Sequence, residues 1–425
     1  MAGKVRVPGD KSITHRVLLL AALARGSSRI RGALTSLDAR STARVLRQLG
    51  ATVSPLRGGA VAQVEGHGRF RRPDRILDCG NSGTTTRLTL GILAGHNFVA
   101  TLTGDSSLRR RPMRRVTTPL EAMGAHFTEQ IGDGLPLTIH GGSLTPLRYQ
   151  LPVSSAQIKS ALLLAGIVGN VEVSLREPHG RSRDHTERLL RAFGYELTED
   201  DGWITSKPTG RIEPFTIDVP GDPSSAAFLV GAALLAEGGS LRISGVGLNP
   251  TRTGFLQVLA RMGGLVEIEN QSDQFGEPVG DLVVQPASLR GTEVTAEEIP
   301  GLIDEIPLLA VVASRAQGST TFRQVGELRV KESDRLGLLA ENLRAVGAKA
   351  EVQGDDLLVG GGDHPPAGVV RTAADHRLAM AFAVLGTVPG ARVEIDDLAC
   401  AAVSFPGFPE TLSRLSAGGP RGVVG

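Results

Sequence analysis

The sequence predicts an α/β (α+β) fold of two domains, each built from three βαβαββ repeats with buried helices. Three observations carry that prediction: a six-fold Leu-x-x-apolar-Gly pattern, an interleaved series of nearly all-apolar helical runs, and a short string that recurs half a chain later. A long, near-constant period marks one supersecondary unit used repeatedly.

The first pattern occurs as Leu46 to Gly50, Leu120 to Gly124, Leu190 to Gly194, Leu259 to Gly263 and Leu343 to Gly347, with a degraded copy at Leu412 to Ser416. The closing residues are 74, 70, 69, 84 and 69 positions apart. An amphipathic stretch precedes each copy. In one, Leu336, Leu339, Leu343 and Val346 lie on one helical face and Glu341, Asn342 and Arg344 on the other. Glycine then suits the left-handed residue that ends a helix, and β-favouring segments such as Leu265 to Ile268 follow. The second series comprises Val17 to Ala24, Leu88 to Gly95, Ala161 to Gly169, Ala226 to Ala236, Ile306 to Ala313 and Leu378 to Gly386. Helices apolar on every side are buried ones. Helix-start residues precede them, among them Asp10-Lys11-Ser12, Asn81-Ser82-Gly83-Thr84 and Asp375-His376-Arg377. The string Val7-Pro8-Gly9-Asp10-Lys11-Ser12 is echoed 212 residues later by Val219-Pro220-Gly221-Asp222-Pro223-Ser224. The echo divides six repeats into two sets of three, with hinges near residues 8–11 and 219–222. One domain then comprises residues 1–10 plus 222–425, and the other residues 11–221.

Composition narrows the function. Of 425 residues, 41% are hydrophobic and 21% charged, as in ordinary globular proteins. A formal charge of +2 gives no global field to recruit nucleic acid or membrane. Two cysteines exclude a disulfide framework and a cysteine-built zinc site. Neither a signal peptide nor an apolar run of the roughly 18–20 residues that span a bilayer is visible, so a cytoplasmic protein is expected. Arginine is the default cation, with only six lysines among 46 basic residues.

The starts of buried helices carry unpaired N–H groups and partial positive charge, so several facing one cleft form an anion site. Cations lie at or near many of the starts: Lys11, Arg16, Arg87, Arg183, Lys331, Arg335 and Arg377. A cation at a helix start needs an anion nearby, so the pattern calls for small ligands with several negative charges. Plainer readings stand beside this one. Arg71, Arg72, Arg109 and Arg110 are solvated surface. His376 fits a structural histidine, Asp304 and Glu305 fit ordinary helix-start carboxylates, and Lys331-Glu332 fits a surface pair.

Taken as strings, these segments resemble the 5-enolpyruvylshikimate-3-phosphate (EPSP) synthase family. The resemblance rests on Val7 to Arg16, Gly80 to Arg87, Arg111-Pro112-Met113, Ser154 to Ser160, Arg183 to Glu187, Ile303-Asp304-Glu305, Arg329-Val330-Lys331-Glu332-Ser333-Asp334-Arg335 and Asp375-His376-Arg377. It covers the chain from about residue 5 to 410. It implies the enolpyruvyl transferase fold, an inside-out α/β barrel, with the active site in the inter-domain cleft and hinge closure on substrate binding. The implied reaction moves the enolpyruvyl group of phosphoenolpyruvate (PEP) to the 5-hydroxyl of shikimate 3-phosphate, in the shikimate pathway to chorismate. No metal or organic cofactor and no nucleic acid or membrane partner is implied, and the implied enzyme is a monomer.

By motif position the resemblance makes Asp304 the base on the 5-hydroxyl, Glu332 the group exchanging the C3 proton, and Lys11 a cation on both substrates. PEP would be held by Lys11, Gly83, Arg111, Gln157, Arg335 and Arg377. Shikimate 3-phosphate would be held by Lys11, Ser12, Arg16, Ser155, Ala156, Gln157, Arg183, Asp304 and Lys331. Asn81, Thr84, Arg87 and His376 are further candidates. Many family members carry a lysine where Val403 stands, so one PEP-side cation is missing from that stretch. Gly83 falls where glyphosate-resistant members can carry a bulkier residue, so sensitivity is expected. A rival of the same fold, transferring to UDP-N-acetylglucosamine, usually carries a cysteine in a mobile loop, and the corresponding stretch here, Gly104 to Arg115, has none. An RNA-binding or RNA-end-processing protein, suggested by arginine richness, would need aromatic stacking platforms, and the 15 aromatics form no cluster.

Overall fold

The structure, a computed structural model, describes residues 1–128, 132–178 and 180–416. The chain forms two compact units: Met1–Pro8 with Pro220–Ser272 and the chain from Pro278 onward, and Gly9–Val219 with Asp273–Glu277. They are called here the first and second unit. Each has its own apolar cluster.

Both helix series form. The apolar runs become Lys11–Leu23, Gly83–Ala94 and Ala156–Gly169 in the second unit, and Pro223–Leu234, Ile306–Ala313 and His376–Leu385 in the first. Every residue of Pro223–Leu234 and Ile306–Ala313 is buried. Fully burying each Leu, Val or Ile is worth about 1.5–3 kcal/mol, so these helices are held by packing on all sides. The amphipathic helices are Leu37–Gln48, Arg114–Ala122, His185–Ala192, Gly254–Arg261, Arg335–Ala345 and Phe408–Ser416. Gly50, Gly124, Gly194, Gly263 and Gly347 follow the first five with φ of 97°, 111°, 81°, 98° and 90°. That left-handed conformation is the one glycine adopts without strain.

One repeat shows the pattern. Leu77–Asp78 pairs parallel with Val99–Thr103, which pairs antiparallel with Leu137–His140, and His126–Thr128 closes the sheet. Parallel neighbours need a helical crossover, and the buried helix Gly83–Ala94 supplies it. Among the described residues, five sheets have four strands. The sixth, Ala367–Val370 with Arg392–Ile395, has two. The third and fourth strands of other repeats follow the amphipathic helix, and here the described residues end at that helix.

Two strands do not serve the helices they precede. Gly3–Val5 comes just before the Lys11 helix but pairs with Leu241–Gly247 in the first unit. Thr216–Asp218 comes just before the Pro223 helix but pairs with Arg25–Arg31 in the second. Each strand completes the sheet of the other's repeat. Gly9, beside one crossing, has no room for a side chain, since a Cβ would lie 1.9 Å from the Gly32 carbonyl oxygen.

Candidate active site

In the second unit, Asp10 caps the first buried helix, its carboxylate accepting from the Ile13 N–H at 2.8 Å. Lys11 opens that helix and is ion-paired with buried Asp38, in the first turn of Leu37–Gln48. One turn on, buried Arg16 donates to the Thr186 hydroxyl at 2.7 Å, the Ser160 hydroxyl at 2.7 Å and the Ser12 carbonyl at 2.9 Å. Burial lowers its pKa to about 10, leaving it charged at neutral pH. Arg183 donates to the Ser12 hydroxyl at 3.4 Å. Behind them, Lys159 is 1% exposed and lies 2.9 Å from Glu177 and 2.8 Å from Glu187. Burial opposes its charge, but the two carboxylates prevail and raise its pKa.

A hydroxyl network joins the starts of two buried helices. His15 Nδ1 meets Thr42 Oγ1 at 2.6 Å, and Thr42 meets Thr85 Oγ1 at 2.7 Å. Thr85 donates to Ser82, which caps the next helix. Gly83 opens that helix, and a Cβ there would sit 2.9 Å from Arg87 Nη1 and 3.4 Å from Arg111 Nη1. Arg111 donates to Asn81 at 2.6 Å, and Asn81 to Asp105 at 2.6 Å. Arg87 donates to Gln157 at 2.5 Å and to the Pro112 carbonyl at 3.0 Å, while Gln157 donates to Thr84 at 3.0 Å. Ser155 and Ala156 start the helix that carries Gln157, Lys159 and Ser160. The stretch Gly104 to Arg115, read as a loop, contains the short helix Ser106–Arg109 and the start of Arg114–Ala122.

In the first unit Arg335 is the centre. Its side chain is 0% exposed. Nε donates to Asp375 at 2.8 Å and Nη2 to Asp375 at 3.2 Å, and Nη2 also bonds Glu332. Nη1 lies 3.8 Å from Asp304 Oδ1, beyond hydrogen-bond reach, and is buried with no hydrogen-bond acceptor. Burial works against ionised Asp375, but the Arg335 guanidinium holds its pKa below the usual carboxylate range. Arg377 donates to the Asp304 carbonyl at 3.0 Å and lies 3.4 Å from Asp304 Oδ2. His376 is buried at the same helix start, which Asp375 caps. Lys331 is 3.9 Å from Glu327, and burial lowers its pKa against the pull of Asp304.

The structure thus gathers Asp304, Glu332, Arg335, His376 and Arg377 in one unit, and Lys11, Ser12, Arg16 and Arg183 in the other beside a second group around Gly83, Arg87, Arg111 and Gln157. Three expectations change. Arg183 and Lys331 precede amphipathic helices and Arg335 opens one, since His185–Ala192 and Arg335–Ala345 are not the buried series. Helix-start cations do not await a ligand for their counter-charge, because Asp38 faces Lys11 and Asp304 faces Arg377. Lys331 and Glu332 do not form a surface pair, because Glu332 turns to Arg335. Asp375 and Glu305 were legible only as helix-start acids, and Asp38, Ser160 and Thr186 carried no signal of their contacts. Among the described residues, no group of three or more His, Cys, Asp or Glu is arranged to hold a metal ion, and no helix is long and apolar enough to cross a membrane.

The family described as EPSP synthase (3-phosphoshikimate 1-carboxyvinyltransferase) matches residues 1–412. A 3-phosphoshikimate 1-carboxyvinyltransferase of Gluconobacter oxydans (strain 621H) is 47% identical, covering 98% of this chain and 96% of that protein. One from Gloeobacter violaceus is 48% identical, with coverage of 98% and 96%. A solved EPSP synthase from Acinetobacter baumannii superposes with a TM-score of 0.86 at 37% identity, covering 97% of this chain and 95% of that one. The enolpyruvyl transferase NikO from Streptomyces tendae shares the fold, with a TM-score of 0.78 at 20% identity and coverage of 98% and 95%.

Proposed function

This chain belongs to the EPSP synthase family, and from that premise we infer that it transfers the enolpyruvyl group of PEP to the 5-hydroxyl of shikimate 3-phosphate, releasing inorganic phosphate. The observation that carries the reading at residue level is Arg335: a wholly buried guanidinium with one nitrogen lacking an acceptor, set between carboxylates. Its open N–H can donate to an anion's oxygen, and its carboxylate neighbours are suited to moving protons.

The chemistry assigns roles. PEP becomes electrophilic at C2 when C3 gains a proton, and the 5-hydroxyl loses its proton as its oxygen bonds to C2. The tetrahedral intermediate then loses phosphate from C2 and a proton from C3, restoring the double bond. Asp304 takes the hydroxyl proton, and Glu332 gives and retakes the proton at C3. Lys11 spans both substrates. Arg111, Arg335 and Arg377, with the backbone near Gly83, hold the PEP phosphate and carboxylate. Ser12, Arg16, Ser155, Gln157, Arg183 and Lys331 hold shikimate 3-phosphate. Asn81, Thr84, Arg87 and His376 support them. Preorganised cations on a leaving phosphate commonly supply a large share of catalysis. The reading also makes the chain a cytoplasmic monomer.

The test supplies PEP with either shikimate 3-phosphate or UDP-N-acetylglucosamine to the purified chain and measures phosphate release. Release is expected with the first acceptor alone. Release only with the sugar nucleotide, or with neither, overturns the reading.

A further inference from the structure

The string Pro-Gly-Asp-x-Ser occurs at two of the places where the chain passes between the units, near residues 8–9 and 219–220, yet its two serines do different things. At the first, Ser12 follows Lys11, and its hydroxyl receives Arg183. At the second, Pro223 stands in place of the lysine and Ser224 is 5% exposed. Arg252 donates to the Ser224 hydroxyl at 2.9 Å and to Asp222 at 3.0 Å. Ser224 also bonds Glu305, whose carboxylate is buried beside Asp304 in sequence.

The donor rules fix every proton in this row. A guanidinium can only donate, so the Ser224 oxygen accepts from Arg252 and its single hydrogen goes to Glu305 Oε1. Glu305 is thereby anchored as an acceptor, and the same oxygen faces Arg377 Nη1 at 3.9 Å, an ion pair beyond hydrogen-bond reach. That nitrogen donates to the Asp304 carbonyl at 3.0 Å, so the turn carrying Asp304 and Glu305 grips one edge of Arg377. The Arg377 side chain is 10% exposed. Held at Nη1 by that carbonyl, with Nη2 facing Asp304 Oδ2 at 3.4 Å, the guanidinium is oriented before any anion arrives.

We propose that Ser224, Arg252 and Glu305 are positioning residues that hold Arg377 in the orientation that receives PEP. The proposal rests on the reading of Arg377 as a PEP-binding cation. No group in the row needs to touch substrate. The effect therefore falls on the affinity for one substrate, not on proton transfer.

The test is steady-state kinetics on the full chain, with each substrate varied in turn, for Ser224→Ala, Glu305→Gln and Arg377→Lys. Arg377→Lys is expected to raise the KM for PEP at least tenfold. Ser224→Ala, which cuts the row, is expected to raise it roughly tenfold, the usual scale of one lost hydrogen bond to a charged group. For Ser224→Ala, the KM for shikimate 3-phosphate should stay within about twofold and kcat within about threefold. Glu305→Gln keeps the volume and shares the direction, so it decides the matter if Ser224→Ala fails to fold. A general structural defect lowers kcat through loss of folded enzyme and leaves both KM values in place. That pattern, an equal rise in both KM values, or an unchanged KM for PEP overturns the proposal. If Arg377→Lys leaves the KM for PEP unchanged, the site reading itself falls, and the positioning role falls with it.

Discussion

The two charge clusters are built on opposite principles. In the first unit, Arg335 and Arg377 are held by carboxylates: Asp304, Glu305, Glu332 and Asp375. In the second, Arg16, Arg87 and Arg111 are held largely by neutral acceptors: hydroxyls, carbonyls and side-chain amides. There the buried acids Glu177 and Glu187 face Lys159, and Asp38 faces Lys11. A neutral acceptor orients a guanidinium without cancelling its charge, so the second unit keeps more attraction for anions. A carboxylate cancels charge but can carry a proton, so the first unit is the one equipped for acid–base work. The contrast teaches that the carboxylates proposed to move protons are confined to the first unit, whereas the cations proposed to bind the two anions are divided between both units and differ in how far their neighbours offset their charge.

The sharpest way to break that division is to remove one member from each side. Asp304→Ala is expected to lower kcat by about 10²–10⁴, the range for loss of a general base. Its affinity for shikimate 3-phosphate alone, measured by calorimetry, should stay within about threefold. Lys11→Ala should abolish turnover and also weaken that binding by about tenfold, as loss of a charged contact does. Near-normal turnover in either folded variant removes the assigned roles.

A second prediction concerns what lies beneath the binding cluster. Lys159→Met leaves two buried carboxylates uncompensated and should cost about 3–5 kcal/mol in urea unfolding. Adding Glu187→Gln should return part of that loss. If Lys159→Met costs less than about 1 kcal/mol, the charge balance under the cluster does not hold it up.

The smallest effect is a slope. Burial lowers the pKa of His15 from 6.5 to about 3. The unfolded chain therefore binds a proton before the folded one does. This contribution to stability is intact above pH 6.5 and is lost as pH falls toward 3, at about 1.4 kcal/mol for each pH unit between. Unfolding free energies measured from pH 7 to 4 should show that slope, and His15→Asn should flatten it. An identical slope in the variant assigns the acid lability elsewhere.

The repeat architecture was legible because its signals are local. Helical periodicity, apolarity on all faces and a left-handed glycine at the helix end each depend on a few neighbouring residues. The strings around Lys11, Gly83, Asp304, Lys331 and Asp375 pointed to site candidates for the same reason. Pairings across long separations were not legible. Lys11 meets Asp38 across 27 positions, Arg335 meets Asp375 across 40, and Ser224 meets Glu305 across 81. Nothing in either residue of such a pair names the other, because the contact exists only once separate helix starts are packed together.

The opening symmetry shows the same boundary. Sequence alone determined that the chain is six related units, that they fall into two sets, and that a Pro-Gly-Asp-x-Ser string opens each set. Only the tertiary structure decided that strands Gly3–Val5 and Thr216–Asp218 complete each other's repeats, and that one serine of the echoed pair receives Arg183 while the other is buried between Arg252 and Glu305. The physical reason is that strand pairing and ion pairing satisfy donors and acceptors wherever the packed chain brings them together, whereas periodicity and turn chemistry are satisfied within a few residues.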